Sequence, residues 1–108
     1  MTRTVVVDLD GTLCNELPTF ERALATPKEG AKELLISLKE LGYTIIIYTA
    51  RGWAEFTMTQ NWLYSNNLYY DVLLMGKPVY DIWIDDRAVN CDDNLSEIER
   101  WIKNGKSN

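Results

Sequence analysis

Four short clusters in this chain hold side chains able to do chemistry: Asp8-Leu9-Asp10-Gly11-Thr12, Thr49-Ala50-Arg51-Gly52, Gly76-Lys77-Pro78 and Asp85-Asp86-Arg87. Each has an ordinary explanation when taken alone. An Asp after a strand is commonly a turn residue or a helix cap, and Thr49 can serve the same way. Lys77 can be a solvated edge charge, and Asp85-Asp86 can make an Asx turn. Taken together they are the residue types that one reaction needs, phosphoryl transfer to a carboxylate. That reaction requires a nucleophile in line with the leaving oxygen and cations around the phosphoryl oxygens. It also requires a proton donor for the leaving group.

The charges make the expectation sharper. Ionised Asp8, Asp85 and Asp86 sum to −3, which one divalent cation and Lys77 return to zero. Without the metal, a phosphate dianion meets net negative charge. A hard cation with oxygen ligands is therefore expected, and Mg²⁺ is the ion we expect. Crowded carboxylates raise the pKa of one of their number. Asp10, just past the first strand, is the candidate to keep its proton, act as the acid and later take a proton from the attacking water.

Hydrophobic patterning indicates what must position these groups. Thr4–Asp8 is a β-branched run, the mark of a strand buried on both faces. Thr44–Tyr48, Asp71–Met75 and Tyr80–Asp85 read as three more strands. Thr26, Pro27 and Glu29 form a helix start with a capping box, after which Ala31, Leu34, Leu35, Leu38 and Leu41 recur at helical spacing until Gly42. Trp53–Asn66 reads as a second helix, and a third starts at Asn94, with Asp92-Asp93-Asn94 as its cap. Residues 11–25 read as a loop with a short turn, and the tail from Asn104 to Asn108 reads as frayed. Strands alternating with helices imply right-handed crossovers and a parallel sheet, and ligands bind beyond the carboxyl ends of such strands. All four clusters lie at those ends.

Composition narrows the classes further. The 108 residues carry 11 Lys and Arg against 16 Asp and Glu, a net charge of −5. That argues against a broad grip on nucleic acid or an anionic membrane. There is no His, which removes His-based catalysis and His zinc sites. Cys14 and Cys91 are far apart and read as free thiols. The apolar runs are too short to span a membrane or serve as a secretory segment, so we expect a soluble cytoplasmic protein of one domain, residues 1–108. Gly76-Lys77 lacks a phosphate-cradling loop, since position 71 is Asp and position 78 is Pro.

The run Asp8-Leu9-Asp10-Gly11-Thr12-Leu13 resembles the first motif of the haloacid dehalogenase (HAD) superfamily of aspartate-nucleophile phosphatases. Thr49, Lys77 and Asp85-Asp86 follow in that family's order, each after a hydrophobic strand, so the resemblance covers residues 4 to about 87. It implies a three-layer, Rossmann-like α/β core with about four parallel strands in the order 3-2-1-4 and helices on both faces. It implies Asp8 as the nucleophile that becomes aspartyl-phosphate and Asp10 as the general acid and base. Thr49 would hydrogen-bond a phosphoryl oxygen, and Lys77 would neutralise the phosphoaspartate. Asp8, the Asp10 carbonyl and the acidic pair would hold Mg²⁺, with Asp86 as direct ligand and Asp85 as its support. Because Asp10 is present, the resemblance favours a phosphatase over a dehalogenase.

Neither the stretch 11–26 nor 78–85 can hold a cap domain, so the chain is similar to the capless subgroup. Its site would be covered by short loops, by a second copy of the chain, or by the substrate. A weaker likeness runs to small phosphatases of capsule and lipopolysaccharide biosynthesis, and to the 3′-phosphatase domain of polynucleotide kinases. Our expected substrate is a small phosphorylated metabolite such as a sugar phosphate, with the polynucleotide 3′-phosphate as runner-up.

Thr12, Arg51 and Gly52 are candidate substrate contacts. Arg51 is placed to reach a second anionic group, with a surface ion pair as the equal alternative. Arg87 is open to the same two uses, or to holding the acidic pair. Trp53 reads as core more than as a stacking platform, and Trp62, Trp83 and Trp101 read as core. A response-regulator receiver is the rival from another class, but receivers place the acidic pair after the first strand, whereas here it comes last. A catalytically silent interaction module of the same fold is the remaining rival.

Overall fold

A computed structural model describes residues 3–91 and 94–105. Three parallel strands form its sheet: β1 (Arg3–Val7), β2 (Tyr43–Tyr48) and β3 (Val72–Leu74), in the order β1-β2-β3. The register pairs Val5 with Ile45 and Ile47 with Leu73. Helix α1 (Ala31–Glu40) makes the crossover from β1 to β2, and α2 (Phe56–Ser65) the crossover from β2 to β3. Helix α3 (Leu95–Lys103) packs against α1, which packs on β2. The core is the buried set that patterning singles out: Leu34, Leu35 and Leu38 of α1, Ile45 and Ile47 of β2, Trp62 and Leu63 of α2. Each such side chain contributes roughly 1.5–3 kcal/mol by leaving water. Among the described residues, no helix is long and apolar enough to cross a membrane.

The fourth strand expected at 80–85 is not formed. Gly76, at φ 79°, turns the chain aside directly after β3, and Pro78 has no N–H to donate to a ladder. Beyond it, local partners replace sheet partners. Asp85 accepts the Arg87 N–H at 2.7 Å and the Trp83 indole N–H at 3.2 Å. The Tyr80 and Trp83 rings gather around the Lys77 ammonium, 5.2 and 5.6 Å from it. Ile84 is 94% exposed, and Trp83, expected in the core, is half exposed. Among the described residues the outer edge of β1 therefore has no strand beside it, and Val6 is 59% exposed rather than buried on both faces. Four strands in the order 3-2-1-4 with helices over both faces thus reduce to three strands in the order 3-2-1, with α1 on β2 and α3 against α1.

The first helix starts later than its capping box suggests. Gly30 precedes Ala31 with no side-chain cap, while Thr26 gives its N–H to Asn15 Oδ1 and its carbonyl accepts from the Asn15 N–H. Pro27 bridges Cys14, and the Lys28 N–H reaches the Leu13 carbonyl at 2.8 Å. Residues 26–28 are held extended against the loop after β1, which outcompetes a helical first turn. The other boundaries follow the sequence more closely. Helix α1 ends at Glu40, two residues before Gly42 at φ 88°, α2 is preceded by a 3₁₀ turn at Trp53–Glu55, and the Asn94 side chain caps α3 by accepting the Glu97 N–H at 3.2 Å. Asp92, Asp93 and the end of the expected frayed tail, 106–108, lie outside the described residues.

Asp71 opens β3. Its Oδ2 accepts the Ile45 N–H at 2.7 Å and its Oδ1 the Tyr69 hydroxyl at 2.8 Å. The Ile45 N–H first, then the Tyr69 hydroxyl, hold its carboxyl below the usual aspartate value. A lowered folded-state pKa stabilises the fold above the ordinary aspartate value, and that contribution disappears as pH falls through the lowered one. Asp71→Asn is therefore expected to weaken resistance to urea at neutral pH. The gap to the parent chain should close as the pH drops below 3.8, the ordinary value. A gap that stays constant into acid would show that the charge of Asp71 is not what stabilises this strand.

Candidate active site

Asp8 and Asp10 are aimed by the residue between them. Leu9 is fully buried, and its carbonyl accepts the N–H groups of Thr12, Leu13 and Cys14 at 3.1, 2.8 and 3.3 Å. The chain thus leaves β1 through a tight turn pinned to the core at Leu9. Gly11 stands in that turn at φ 83°, where an L side chain is strained. The Lys28 ammonium donates to the Gly11 carbonyl at 2.8 Å, which secures the turn from outside.

The ends of β2 and β3 are joined to each other through their backbones. The Thr49 N–H donates to the Leu74 carbonyl, the Lys77 N–H to the Thr49 carbonyl, and the Gly76 N–H to the Arg51 carbonyl, at 2.9, 2.9 and 3.0 Å. This brings Lys77 to the first loop, where its ammonium lies 3.4 Å from Asp8 Oδ1. Thr49 is buried beside them, its hydroxyl oxygen accepting the Arg51 N–H at 3.1 Å. Thr12 is half-buried, with its hydroxyl 3.9 Å from the Cys91 thiol, and Gly52 is exposed at the start of the 3₁₀ turn before α2.

The sequence leaves Arg51 open between an anion hook and a surface ion pair, and the structure makes it a buried ion pair. It has no exposed surface. Its Nε and Nη2 grip Asp10 at 2.8 and 2.7 Å, and its Nη1 donates to the Thr59 hydroxyl at 3.0 Å. Burial disfavours the guanidinium charge, but the hydrogen bonds and charge of Asp10 outweigh that, and the pKa of Arg51 rises. The fork-to-carboxylate geometry is the strongest form of such a pair. The Cys14 thiol, 3.6 Å from Asp10 Oδ1, is pushed up to about 12, by burial first and then by the charge of Asp10. It is an inert structural thiol rather than a nucleophile.

Asp85 and Asp86 are not gathered with these groups. Both are exposed, Asp85 folds into the Asx-type turn described above, and Arg87 approaches Asp86 only to 3.9 Å. The acidic pair that the sequence places at the metal therefore stands apart from Asp8 and Asp10, because the segment carrying it does not join the sheet. Among the described residues, no three acidic or cysteine side chains converge as a metal site would need. The donor types suit a hard cation, but only half of the expected set is in place. The charges that do meet cancel in pairs, Asp8 with Lys77 and Asp10 with Arg51, leaving no surplus positive charge for a phosphate dianion.

Trp53 lies at the rim rather than in the core. It is 61% exposed and stacks on Phe56 with ring centroids 5.7 Å apart. Its indole nitrogen would lie 3.7 Å from a Cβ placed on Gly76. Two supports of the site carry no legible sequence signal: Lys28 and the Arg22–Glu55 ion pair at 2.7 Å that ties the 3₁₀ turn Thr19–Leu24 to the start of α2. Each reads as an ordinary helix or surface residue until the loops are seen folded together.

Residues 5–89 match the family model described as PITM 1-3, LNS2 domain. No curated protein matches the chain. Among solved structures, a target protein from Vibrio cholerae is 29% identical, with a TM-score of 0.74 over 96% of this chain and 99% of that one. Two structures of the Pnkp1/Rnl/Hen1 complex, one described as an RNA repair complex, are 22% and 24% identical, with TM-scores of 0.61 and 0.60. They align over 98% of this chain but only 36% and 33% of theirs, and at that identity they show a shared fold.

Proposed function

We propose, on the premise that this chain belongs to the family described as the LNS2 domain of PITM 1-3, a domain of HAD-like fold, that it is a phosphomonoesterase working through an aspartyl-phosphate. The observation that carries this reading is the 3.4 Å approach of Lys77 to Asp8, with a second carboxylate, Asp10, held two residues on. A lone nucleophilic carboxylate beside an ammonium suits attack on phosphorus, because the cation offsets charge on the oxygens as the bond forms.

In this reading a carboxylate oxygen of Asp8 forms a bond to phosphorus while the bond to the leaving oxygen breaks. Asp10, carrying a proton on a lone pair that the Arg51 fork leaves free, supplies it to that oxygen. A water then attacks the phosphorus and gives its proton to Asp10, and the Asp8–phosphorus bond breaks to release phosphate. The Thr49 hydroxyl has one O–H to donate to a phosphoryl oxygen besides the N–H it accepts. Thr12 and Gly52, on the flanking loops, would contact the substrate.

The paired charges of the site support a requirement for Mg²⁺, which would offset the phosphoryl charge when bound. Asp8, the Asp10 carbonyl, Asp86 directly and Asp85 as its support are the residues that would hold it. For this, the apolar segment 80–85 would have to leave its local partners and join the open edge of β1, giving the order 3-2-1-4. The open, capless site and the likeness to capsule and lipopolysaccharide phosphatases favour a small phosphorylated metabolite, a sugar phosphate, as substrate. The net charge of −5 argues against nucleic acid, and the two free thiols suit a cytoplasmic setting.

Phosphate release should be measured from sugar phosphates, nucleotides and 3′-phosphorylated oligonucleotides with Mg²⁺, then again in excess chelator. Turnover of a sugar phosphate that stops on chelation is the expected result. Preferential cleavage of the oligonucleotide would replace the substrate class, activity surviving chelation would remove the metal, and no release from any of them would end the proposal.

A further inference from the structure

Arg51 is buried without any exposed surface, yet every polar part of it is engaged with a different element of the site. Its fork holds both oxygens of Asp10 on the loop after β1. Its third nitrogen holds Thr59 on α2. Its own N–H is bonded to the Thr49 hydroxyl after β2, and its carbonyl to the Gly76 N–H after β3. One residue therefore ties together the three loops that carry the carboxylates, the hydroxyl and the ammonium. We infer that Arg51 is a positioning residue for Asp10: it fixes the orientation of that carboxylate toward the leaving oxygen and makes no contact with substrate. The inference rests on the phosphatase reading above.

The geometry allows Asp10 to work while held. A carboxylate offers about four lone-pair sites, and the fork occupies one on each oxygen. The remaining directions stay available to a leaving oxygen or a water. Because the fork is planar and fastened at Thr59, it defines the plane of the carboxylate as well as its place. Lysine offers the same charge from a single point and cannot fix that plane. A misoriented acid weakens the chemical step while leaving substrate binding intact.

The test uses the full chain, an aryl phosphate and Mg²⁺. Arg51→Lys is expected to lower kcat at least about 100-fold with KM changed less than about threefold. In Arg51→Ala, added guanidinium salt at concentrations below those that unfold the chain should restore part of the lost kcat. An aryl phosphate has a good leaving group and needs Asp10 chiefly to take the proton of the attacking water, so Asp10→Asn slows kcat but keeps measurable turnover, and in that background Arg51→Lys should cost nothing further. If Arg51→Ala does not fold, as judged by its thermal transition, Arg51→Lys and the Asp10→Asn pair still decide. A raised KM with kcat preserved would make Arg51 a substrate contact and overturn the inference. So would an equal loss in the Asp10→Asn background, which marks a purely structural role. A parent chain that releases no phosphate overturns the phosphatase reading and this inference with it, whereas an active parent with an unaffected Arg51→Lys overturns this inference alone.

Discussion

Asp8→Asn is expected to abolish turnover of an aryl phosphate, by at least about 1,000-fold, while leaving the fold in place. The amide has nearly the shape of the carboxylate but no anionic oxygen to attack phosphorus. The structural cost is small for a geometric reason. Asp8 is about one-third exposed, and the amide oxygen of an asparagine there can still accept from the Lys77 ammonium 3.4 Å away. Its neighbour Leu9, not Asp8, anchors the turn. The parent and the variant should therefore melt within a few degrees of each other and differ almost entirely in kcat. Mass spectrometry of the parent, quenched in acid during turnover, should show one added phosphoryl group that Asp8→Asn lacks. Residual turnover of the variant well above background would remove Asp8 from the nucleophile's role.

The parts of this molecule that were legible in the sequence are those set by local pattern. Thr44–Tyr48 carries enough β-branched residues to be a central strand, and it is one, paired on both sides. The leucines of α1 recur at helical spacing and are buried where that spacing puts them. Lys77 meets Asp8 because parallel strands of one sheet end at the same edge, and the bond from the Lys77 N–H to the Thr49 carbonyl carries Lys77 across the end of β2 toward the loop after β1. What the sequence hid depends on partners distant in the chain. Nothing local to Arg51 tells a fork on a substrate from a fork on Asp10, since the guanidinium is suited to both. Nothing local to Thr26-Pro27-Lys28 reveals that Asn15, Leu13 and Cys14 will claim its backbone groups before a helix can. Segment 80–85 reads as a strand on propensity alone, but a strand needs a neighbour, and Gly76, Pro78 and the turn at Asp85 supply competing local arrangements. The acidic pair follows that segment, so the uncertainty of one strand became the displacement of two expected ligands.

Leu9→Ala should lower stability and activity together, whereas truncating an equally buried leucine of α1 should lower stability alone. Removing a fully buried leucine costs about 2–5 kcal/mol through lost burial and the cavity left behind. A mid-range loss of about 3 kcal/mol lowers the melting temperature by roughly 10–20 °C in a domain of this size. Leu35 on α1 is equally buried, and Leu35→Ala should lower the melting temperature by a similar amount. The two differ in what they hold. Leu35 fills the interior beneath α1, at a distance along the chain from any candidate site residue. Leu9 is the only residue between Asp8 and Asp10, and its side chain fixes the turn whose N–H groups converge on its own carbonyl. With an alanine there, both carboxylates sit on a looser turn, and a displacement of an ångström at a reacting group is enough to cost about 100-fold in rate. Assayed well below their melting temperatures, Leu35→Ala should keep the parent kcat per folded molecule and Leu9→Ala should lose most of it. Equal kcat in both would show that the turn keeps its geometry without its anchor, and that Asp8 and Asp10 are aimed instead by Lys77 and Arg51.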